Sequence, residues 1–208
     1  VNTTGAYNAA LGAYALDANT TANNNVAVGY AALTANTTGT QNIAIGASAL
    51  LANTTTSNLT AVGFEALKAN TTGASGVAFG YRALLANTTG AANTALGREA
   101  LAANTTGAYN VAVGSLALDA NTTANSNTAV GYNTLKVNTG AENTAIGSSA
   151  MEDNTTGVEN VAFGESALAN NTTANNNTAL GRTALLTNTT GADNTAVGNQ
   201  ALRFNTTA

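Results

Sequence analysis

The side chains that most often carry catalysis are scarce in this sequence. It has no His and no Cys, and its ten Asp and Glu residues are scattered along the chain. General acid–base catalysis and nucleophilic catalysis both need such groups held close together. Only Glu152 and Asp153 are adjacent carboxylates, and a solvated turn explains that pair. The composition therefore predicts a protein that is not an enzyme and has no catalytic, metal-binding or cofactor-binding residues.

One chemical motif does recur, the N-glycosylation acceptor Asn-x-Thr. Its regularly spaced copies are Asn2, Asn19, Asn36, Asn53, Asn70, Asn87, Asn104, Asn121, Asn154, Asn171, Asn188 and Asn205, with additional copies at Asn58, Asn170 and Asn176. The alternative role for the regular Asn residues is structural, as inward or turn-capping amides that bond to neighbouring repeats. We favour the structural role, because glycans on stacked repeats would lie only ~4.8 Å apart and collide.

The spacing of these Asn residues reveals a tandem repeat that fills residues 1–208 as one array. Coils begin at residues 2, 19, 36, 53, 70, 87, 104, 121, 138, 154, 171 and 188, and a partial coil begins at 205. Each coil has 17 residues except the one from 138, which has 16 and reads Asn138-Thr139-Gly140. The consensus is N-T-T-G-x-x-N-(V/T)-A-(V/L/I/F)-G-x-x-A-L-x-A. We number coil positions from the first Asn, and we call the residues that share a position a column.

This period predicts an all-β protein, a parallel β-solenoid of twelve coils. Seventeen residues cannot hold two helices and a turn, since one helix typically needs ~11–12 residues. Positions 8–10 are expected to form a strand, with 8 and 10 facing the core and 9 facing outward. A second short strand would carry the Leu of position 15 inward. The Gly of position 11 would form a bend or a close approach, and the Gly of the N-T-T-G turn would take a positive φ.

The Asn columns at positions 1 and 7 are expected to stack as amide ladders between coils. Column 7 lacks Asn only at Leu59 and Gly76, so we expect its ladder to be interrupted there. The missing Thr of the short coil falls in a turn, where a deletion leaves strand register intact.

Column 9 is the anomaly of this prediction, because it is Ala in all twelve coils although solvent-facing columns usually vary. A second contact surface would explain the Ala, supplied by another chain or by the far wall of a flattened coil. Repeat duplication alone is the alternative. The predicted self-association face is Ala10, Ala27, Ala44, Ala61, Ala78, Ala95, Ala112, Ala129, Ala145, Ala162, Ala179 and Ala196.

The segment Asn25-Val26-Ala27-Val28-Gly29-Tyr30-Ala31-Ala32-Leu33 resembles the head repeats of YadA-like trimeric autotransporter adhesins. Similar N-T-T-G repeats occur in phage tail-fibre and bacterial surface proteins, and the resemblance covers the whole chain. It implies a left-handed β-roll, usually trimeric, displayed outside the cell or on a virion. The coil here is longer than the adhesin repeat by the N-T-T turn.

We therefore expect an extracellular structural fibre that binds to itself, as a lateral trimer or an end-to-end filament. The alternative is an adhesin or tail-fibre shaft that binds a cell surface or glycan through variable columns 12, 13 and 16, which hold Tyr14, Tyr30, Tyr81, Arg82, Arg98 and Tyr132. A third candidate is ice binding by the Thr columns. Nucleic acid is not an expected partner, since the net charge is −4 and no basic run exists. Membrane insertion is not expected either, because no apolar run approaches ~18 residues.

Overall fold

The computed structural model describes residues 2–207, which form a parallel β-solenoid with one three-residue strand per coil. The strands are β1 (Ala9–Leu11), β2 (Val26–Val28), β3 (Ile43–Ile45), β4 (Thr60–Val62), β5 (Val77–Phe79), β6 (Thr94–Leu96), β7 (Val111–Val113), β8 (Thr128–Val130), β9 (Thr144–Ile146), β10 (Val161–Phe163), β11 (Thr178–Leu180) and β12 (Thr195–Val197). They pair in chain order as a single 12-stranded sheet. This confirms the predicted fold class. Across the described residues, the structure contains no helix long and apolar enough to span a membrane.

The strands occupy positions 8–10 of every coil, as the repeat predicted. Each residue pairs with its equivalent in the next coil, so that Ala112 of β7 is opposite Ala129 of β8. The short coil keeps this register, with Ala129 opposite Ala145 although they are 16 residues apart. The deletion therefore lies in the turn, as predicted, and leaves the side-chain alternation of the sheet unchanged.

Hydrogen bonds between coils form both in the sheet and outside it. In the strand region the Val111 N–H donates to the Asn127 carbonyl at 2.8 Å. In the turn after the sheet the Leu118 N–H donates to the Thr134 carbonyl at 3.1 Å. Each coil is thus bonded to its neighbours around much of its circumference, and stability accumulates over coil–coil interfaces.

The predicted orientation of the strand is wrong. The Ala of column 9 faces inward and is fully buried from Ala27 to Ala179, while columns 8 and 10 face solvent. The cause is the small cross-section of the coil, in which the buried Leu of column 15 and Ala of column 14 already occupy the interior. Only a methyl group fits beside them, because protein interiors are close-packed.

The Leu of column 15 is buried as predicted, but it does not lie on a second strand. Positions 12–17 form turns, and the residues at positions 13 and 15 have positive φ, for example 60° at Leu116 and 53° at Leu118. A regular strand sends successive side chains to opposite faces, whereas here Ala117 and Leu118 both point inward. The left-handed conformers make that possible. Column 15 holds Leu or Met and never Val or Ile, since β-branched residues tolerate positive φ poorly.

The glycines of column 11 act as predicted. Gly164 has φ of +134°, and a Cβ added there would lie 2.7 Å from the carbonyl group of Gly181. The N-T-T-G glycines behave differently from the prediction, because Gly107 and its equivalents do not take positive φ. The left-handed residues of that turn are those of column 6, such as Tyr109 with φ of 60°.

The Asn of column 1 forms the predicted ladder. The Asn104 side-chain amide donates to Asn87 Oδ1 at 2.8 Å and to the Gly107 carbonyl at 2.9 Å, while its Oδ1 accepts from Asn121 Nδ2 at 2.9 Å. The short coil interrupts this ladder. There Asn138 Nδ2 turns to the Gly140 carbonyl, and Asn121 Oδ1 is buried without a hydrogen-bond partner.

The Asn of column 7 bonds mainly to backbone rather than to the next amide. Asn110 Oδ1 accepts the Asn127 backbone N–H at 2.9 Å, and its Nδ2 donates to the Ala124 carbonyl at 2.9 Å. The predicted interruption is confirmed, since Leu59 is fully buried in place of an amide. A Cβ at Gly76 would lie 3.6 Å from Leu59 Cδ2, so the large and small residues are neighbours and their volumes complement each other.

Candidate interaction surface

The outward side chains of the sheet form a continuous surface, which we call the outer strip and define as columns 8 and 10. Column 10 is entirely apolar, and column 8 contains only Ala, Val, Ile and Thr. The strip is therefore free of charged residues from β1 to β12. Its most exposed large side chains are Leu11, Ile43, Ile45, Val77, Phe79, Leu96, Val161, Phe163, Leu180 and Val197.

The degree of exposure is high for such side chains. Phe79 is 51% exposed, Phe163 56% and Leu96 45%, although each lies within the sheet and not at its ends. Twelve strands at ~4.8 Å make the strip about 53 Å long, and the ~10 Å width of a three-residue strand gives it a footprint of roughly 500 Å². The largest apolar patch on an ordinary monomer covers ~300–600 Å² and is often functional. The strip is therefore a candidate interaction surface.

Hydrogen bonding positions the strip. The strand peptide groups pair with both neighbouring coils, so the outward side chains are held at a regular axial spacing. Behind them the buried Ala column brings the strand backbone close to the Leu column. Gly114 follows β7 directly. Its φ of +133° turns the chain out of the strand conformation immediately after column 10. The backbone is therefore fixed, and the side chains of the outer strip stay on the surface because the interior behind them is filled.

The residues predicted as a self-association face do not form one. From Ala27 to Ala196 the Ala column lies inside the coil and is at most 3% exposed, so another chain cannot reach it. The Ala side chains pack against the far wall of their own coil, and this packing, not contact with another chain, explains why the column does not vary. Ala10, in the first coil, is exposed.

The regular Asn residues are also unavailable for modification. From Asn19 to Asn188 column 1 is at most 1% exposed, and its amides are engaged in the ladder. The glycosylation prediction is therefore wrong for these buried residues, and the structural role is confirmed. Asn2 and Asn205, in the outermost coils, are exposed and partly exposed respectively. The additional acceptors Asn58, Asn170 and Asn176 are exposed.

The Thr side chains of column 2 are bonded to the next coil. Thr105 Oγ1, for example, donates to the Thr122 carbonyl at 3.0 Å, and the same bond recurs along the column. These hydroxyl groups therefore donate their hydrogen bonds within the rod and not to water. The arrangement provides no support for ice binding by this column.

The carboxylates do not come together. Within residues 2–207 there is no group of three or more His, Cys, Asp and Glu side chains that could hold a metal ion. Glu152 accepts a hydrogen bond from Asn133 Nδ2 at 3.1 Å and does not pair with Asp153. Burial, followed by the charge of Glu99, raises the pKa of the Asp119 carboxyl.

Sequence reasoning missed the outer strip because it placed column 10 in the core. The signal that could have found it is residue volume. Column 9 never changes, whereas column 10 ranges from Val to Phe, and a packed interior tolerates such variation poorly.

Comparison with known proteins identifies no relative: no family model, curated protein or solved structure matches this chain. The resemblance to adhesin head repeats stays a prediction, as does the handedness of the coil.

Proposed function

We propose that this chain is a non-enzymatic structural protein that builds a stiff extracellular fibre, in which rods associate side by side through their outer strips. The observation that carries the proposal is the uncharged apolar strip that runs along all twelve strands. The extracellular location is supported by the resemblance of Asn25–Leu33 to surface-displayed repeats.

The stiffness follows from the bonding between coils. Backbone bonds join successive coils in the sheet and in the turns, and the Asn and Thr columns add side-chain bonds at every level. Bending the rod would stretch these bonds on one side. A rod of this kind suits a spacer or a filament.

A second copy of the chain is the partner that fits the strip. A strip about 53 Å long with a ~4.8 Å repeat is matched along its whole length only by a surface with the same repeat. The absence of charge on both columns means that two strips can meet without like-charge repulsion. A footprint of roughly 500 Å² on each of two rods gives about 1,000 Å² in total, which is the size that a specific interface needs.

The borders of the strip differ from it in composition. Column 6, on one side, carries polar and acidic residues such as Gln41, Glu142 and Glu159, and column 12 carries Tyr, Phe, Arg and Glu side chains. An apolar centre with a more polar rim is the usual anatomy of a protein interface.

The proposal is tested by sedimentation velocity and electron microscopy on the wild-type chain and two triple variants. The first, Ile45→Glu with Leu96→Glu and Val130→Glu, places three charges on the strip. The matched control, Gln41→Glu with Ala92→Glu and Ser126→Glu, adds the same charges to column 6 of the same three coils. Column 6 accepts Glu at residues 142 and 159 in the natural sequence.

We expect the wild type and the control to associate and the strip variant to remain a single rod. Circular dichroism checks that all three chains fold. If the strip variant is unfolded, Ile45→Thr with Leu96→Thr and Val130→Thr provides a milder test. A wild-type chain that stays monomeric at high concentration, or a strip variant that associates as well as the control, overturns the proposal.

A further inference from the structure

Coils four and five carry a side-chain cluster that the other described coils do not repeat. On column 12, Phe64 and Tyr81 stack with ring centroids 5.6 Å apart and an angle of 11° between their planes. Both rings are exposed, Phe64 by 45% and Tyr81 by 42%. Exposed aromatic rings held in fixed positions are common in recognition sites, since they offer a large contact area at low entropic cost.

Charged groups surround this aromatic pair. Glu65 accepts from Lys68 Nζ at 2.7 Å through one oxygen and from Arg82 Nε at 2.8 Å through the other. The Arg82 guanidinium carbon also lies 5.0 Å from the centroid of the Tyr81 ring. One connected group of five side chains therefore combines two aromatic rings, a carboxylate and two cations.

The charged part of the cluster is held by hydrogen bonds to a half-buried carboxylate. The Glu65 side chain is only 13% exposed, and hydrogen bonds from Lys68 and then Arg82 hold the pKa of its carboxyl below the usual value. Because both cations are paired with Glu65, the cluster presents directed hydrogen-bonding groups rather than a bare charge. Arg82 uses Nε for Glu65, and its two terminal nitrogens carry four further N–H donors.

The second aromatic pair of the rod provides a contrast. Tyr14 and Tyr30 meet edge to face, with centroids 5.7 Å apart and planes at 90°. In the described part of the chain, Arg side chains lie over the rings of Tyr81 and Phe204 but not over those of Tyr14 and Tyr30. Among residues 2–207, the combination of parallel rings with an adjacent ion pair occurs only in coils four and five.

We propose that Phe64, Tyr81, Glu65 and Arg82 form a binding platform for a hexopyranose residue of a glycan. A pyranose has a face of C–H groups that packs against the electron-rich face of an aromatic ring. Its hydroxyl groups lie around the rim of the sugar, where a carboxylate and a guanidinium can accept and donate charge-assisted hydrogen bonds. The preformed ion pair lowers the entropic cost of ordering these partners when the sugar binds.

The platform borders the outer strip without being part of it. Its residues belong to columns 12 and 13, whereas the outer strip consists of columns 8 and 10. A single shallow platform predicts millimolar affinity for one sugar. Association of several rods would present several platforms together and raise the avidity for a glycan-covered surface.

The experiment is saturation-transfer difference NMR on the full chain with the methyl glycosides of glucose, galactose, mannose and N-acetylglucosamine as probes. Tyr81→Ser and Phe64→Ser each remove one ring, and Tyr132→Ser removes an exposed ring from the same column as a matched control. Ser is already present in column 12 at residues 115 and 148, so all three variants suit the coil.

We expect saturation transfer to at least one of the four sugars, with binding weakened about tenfold in Tyr81→Ser and Phe64→Ser and unchanged in Tyr132→Ser. Absence of transfer to all four sugars overturns the proposal, and so does equal binding by all three variants. The variant with three Glu residues on the outer strip should bind the sugar as the wild type does. That comparison separates failure of the platform from failure of the fibre.

Discussion

The inner and outer faces of the sheet are built from the same three-residue strands, yet they carry opposite side-chain sizes. In β7 the inward residue is Ala112, which is fully buried, and the outward residues are Val111 and Val113, which are partly exposed. In β5 the contrast is larger, since Ala78 is buried and Phe79 is 51% exposed. The larger apolar groups are on the outside, so hydrophobicity alone does not distinguish the two faces.

The two faces of the sheet differ in the volume that is available to their side chains. A 17-residue coil closes around a narrow interior that is filled by the Leu of column 15 together with two Ala columns and two Asn columns. The inner face must therefore be small and constant, whereas the outer face is free to vary in size. The comparison teaches that an invariant small residue can mark the interior of a solenoid more reliably than a large apolar one.

The largest difference in stability is expected between two Leu→Ala variants, one inside the coil and one on the outer strip. Leu118→Ala removes a fully buried side chain and leaves a cavity, so we expect the free energy of unfolding to fall by about 2–5 kcal/mol. Leu96→Ala makes the same change on the outer strip, where the side chain is 45% exposed, and should cost much less. Urea denaturation followed by circular dichroism measures both. Equal losses would contradict the assignment of inner and outer faces.

Enlarging a side chain should also destabilise the interior more than the outer strip, although by a smaller amount. Ala112→Val inserts two methyl groups into the filled interior, and we expect a loss of about 1–3 kcal/mol in the free energy of unfolding. Ala9→Val is the control, because Ala9 is exposed in column 8, where Val already occurs at residue 26. Thermal unfolding under identical conditions compares the two variants. A control as destabilised as Ala112→Val would argue against volume as the deciding factor.

Restoring the missing residue of the short coil tests the polar part of the interior. A Thr inserted between Thr139 and Gly140 should let Asn138 Nδ2 donate along the ladder again and so provide a partner for the buried Asn121 Oδ1. One added hydrogen bond predicts a gain of about 0.5–1.5 kcal/mol in the free energy of unfolding. The same insertion between Thr106 and Gly107 makes an 18-residue coil and should destabilise. Urea denaturation distinguishes these outcomes, and a stability loss in the first variant would contradict the ladder argument.

The smallest effect on stability is expected for the outer strip itself. Val113→Thr preserves the side-chain shape, and Thr already occupies six places of column 8, so the free energy of unfolding should change by no more than about 0.5 kcal/mol. The proposed association should nevertheless weaken, because the substitution places a hydroxyl in column 10, the wholly apolar column of the strip. Sedimentation velocity measures association, and urea denaturation measures stability. A large loss of stability without a change in association would contradict an outward-facing role for column 10.

Several features could be predicted because each coil supplies an independent copy of the same pattern. The strand at positions 8–10, the bend at Gly164 and its equivalents, and the interruption at Leu59 all follow from comparing coils with one another. The Asn ladder was predictable as well, since buried amides need partners and the next coil always offers one. The interruption at Asn121 was not predicted, because it depends on how the shortened turn repositions Asn138.

By itself, the sequence determined the period, the number of coils, the location of the strands and the absence of charge from columns 8 and 10. Only the tertiary structure decided which of those columns faces inward and which residues of coils four and five meet. Strand alternation places the side chains of positions 8 and 10 on the face opposite to that of position 9, but it does not determine which face is the interior. That choice depends on the volume left inside the closed coil once the left-handed turn at positions 13–15 has directed both Ala117 and Leu118 inward.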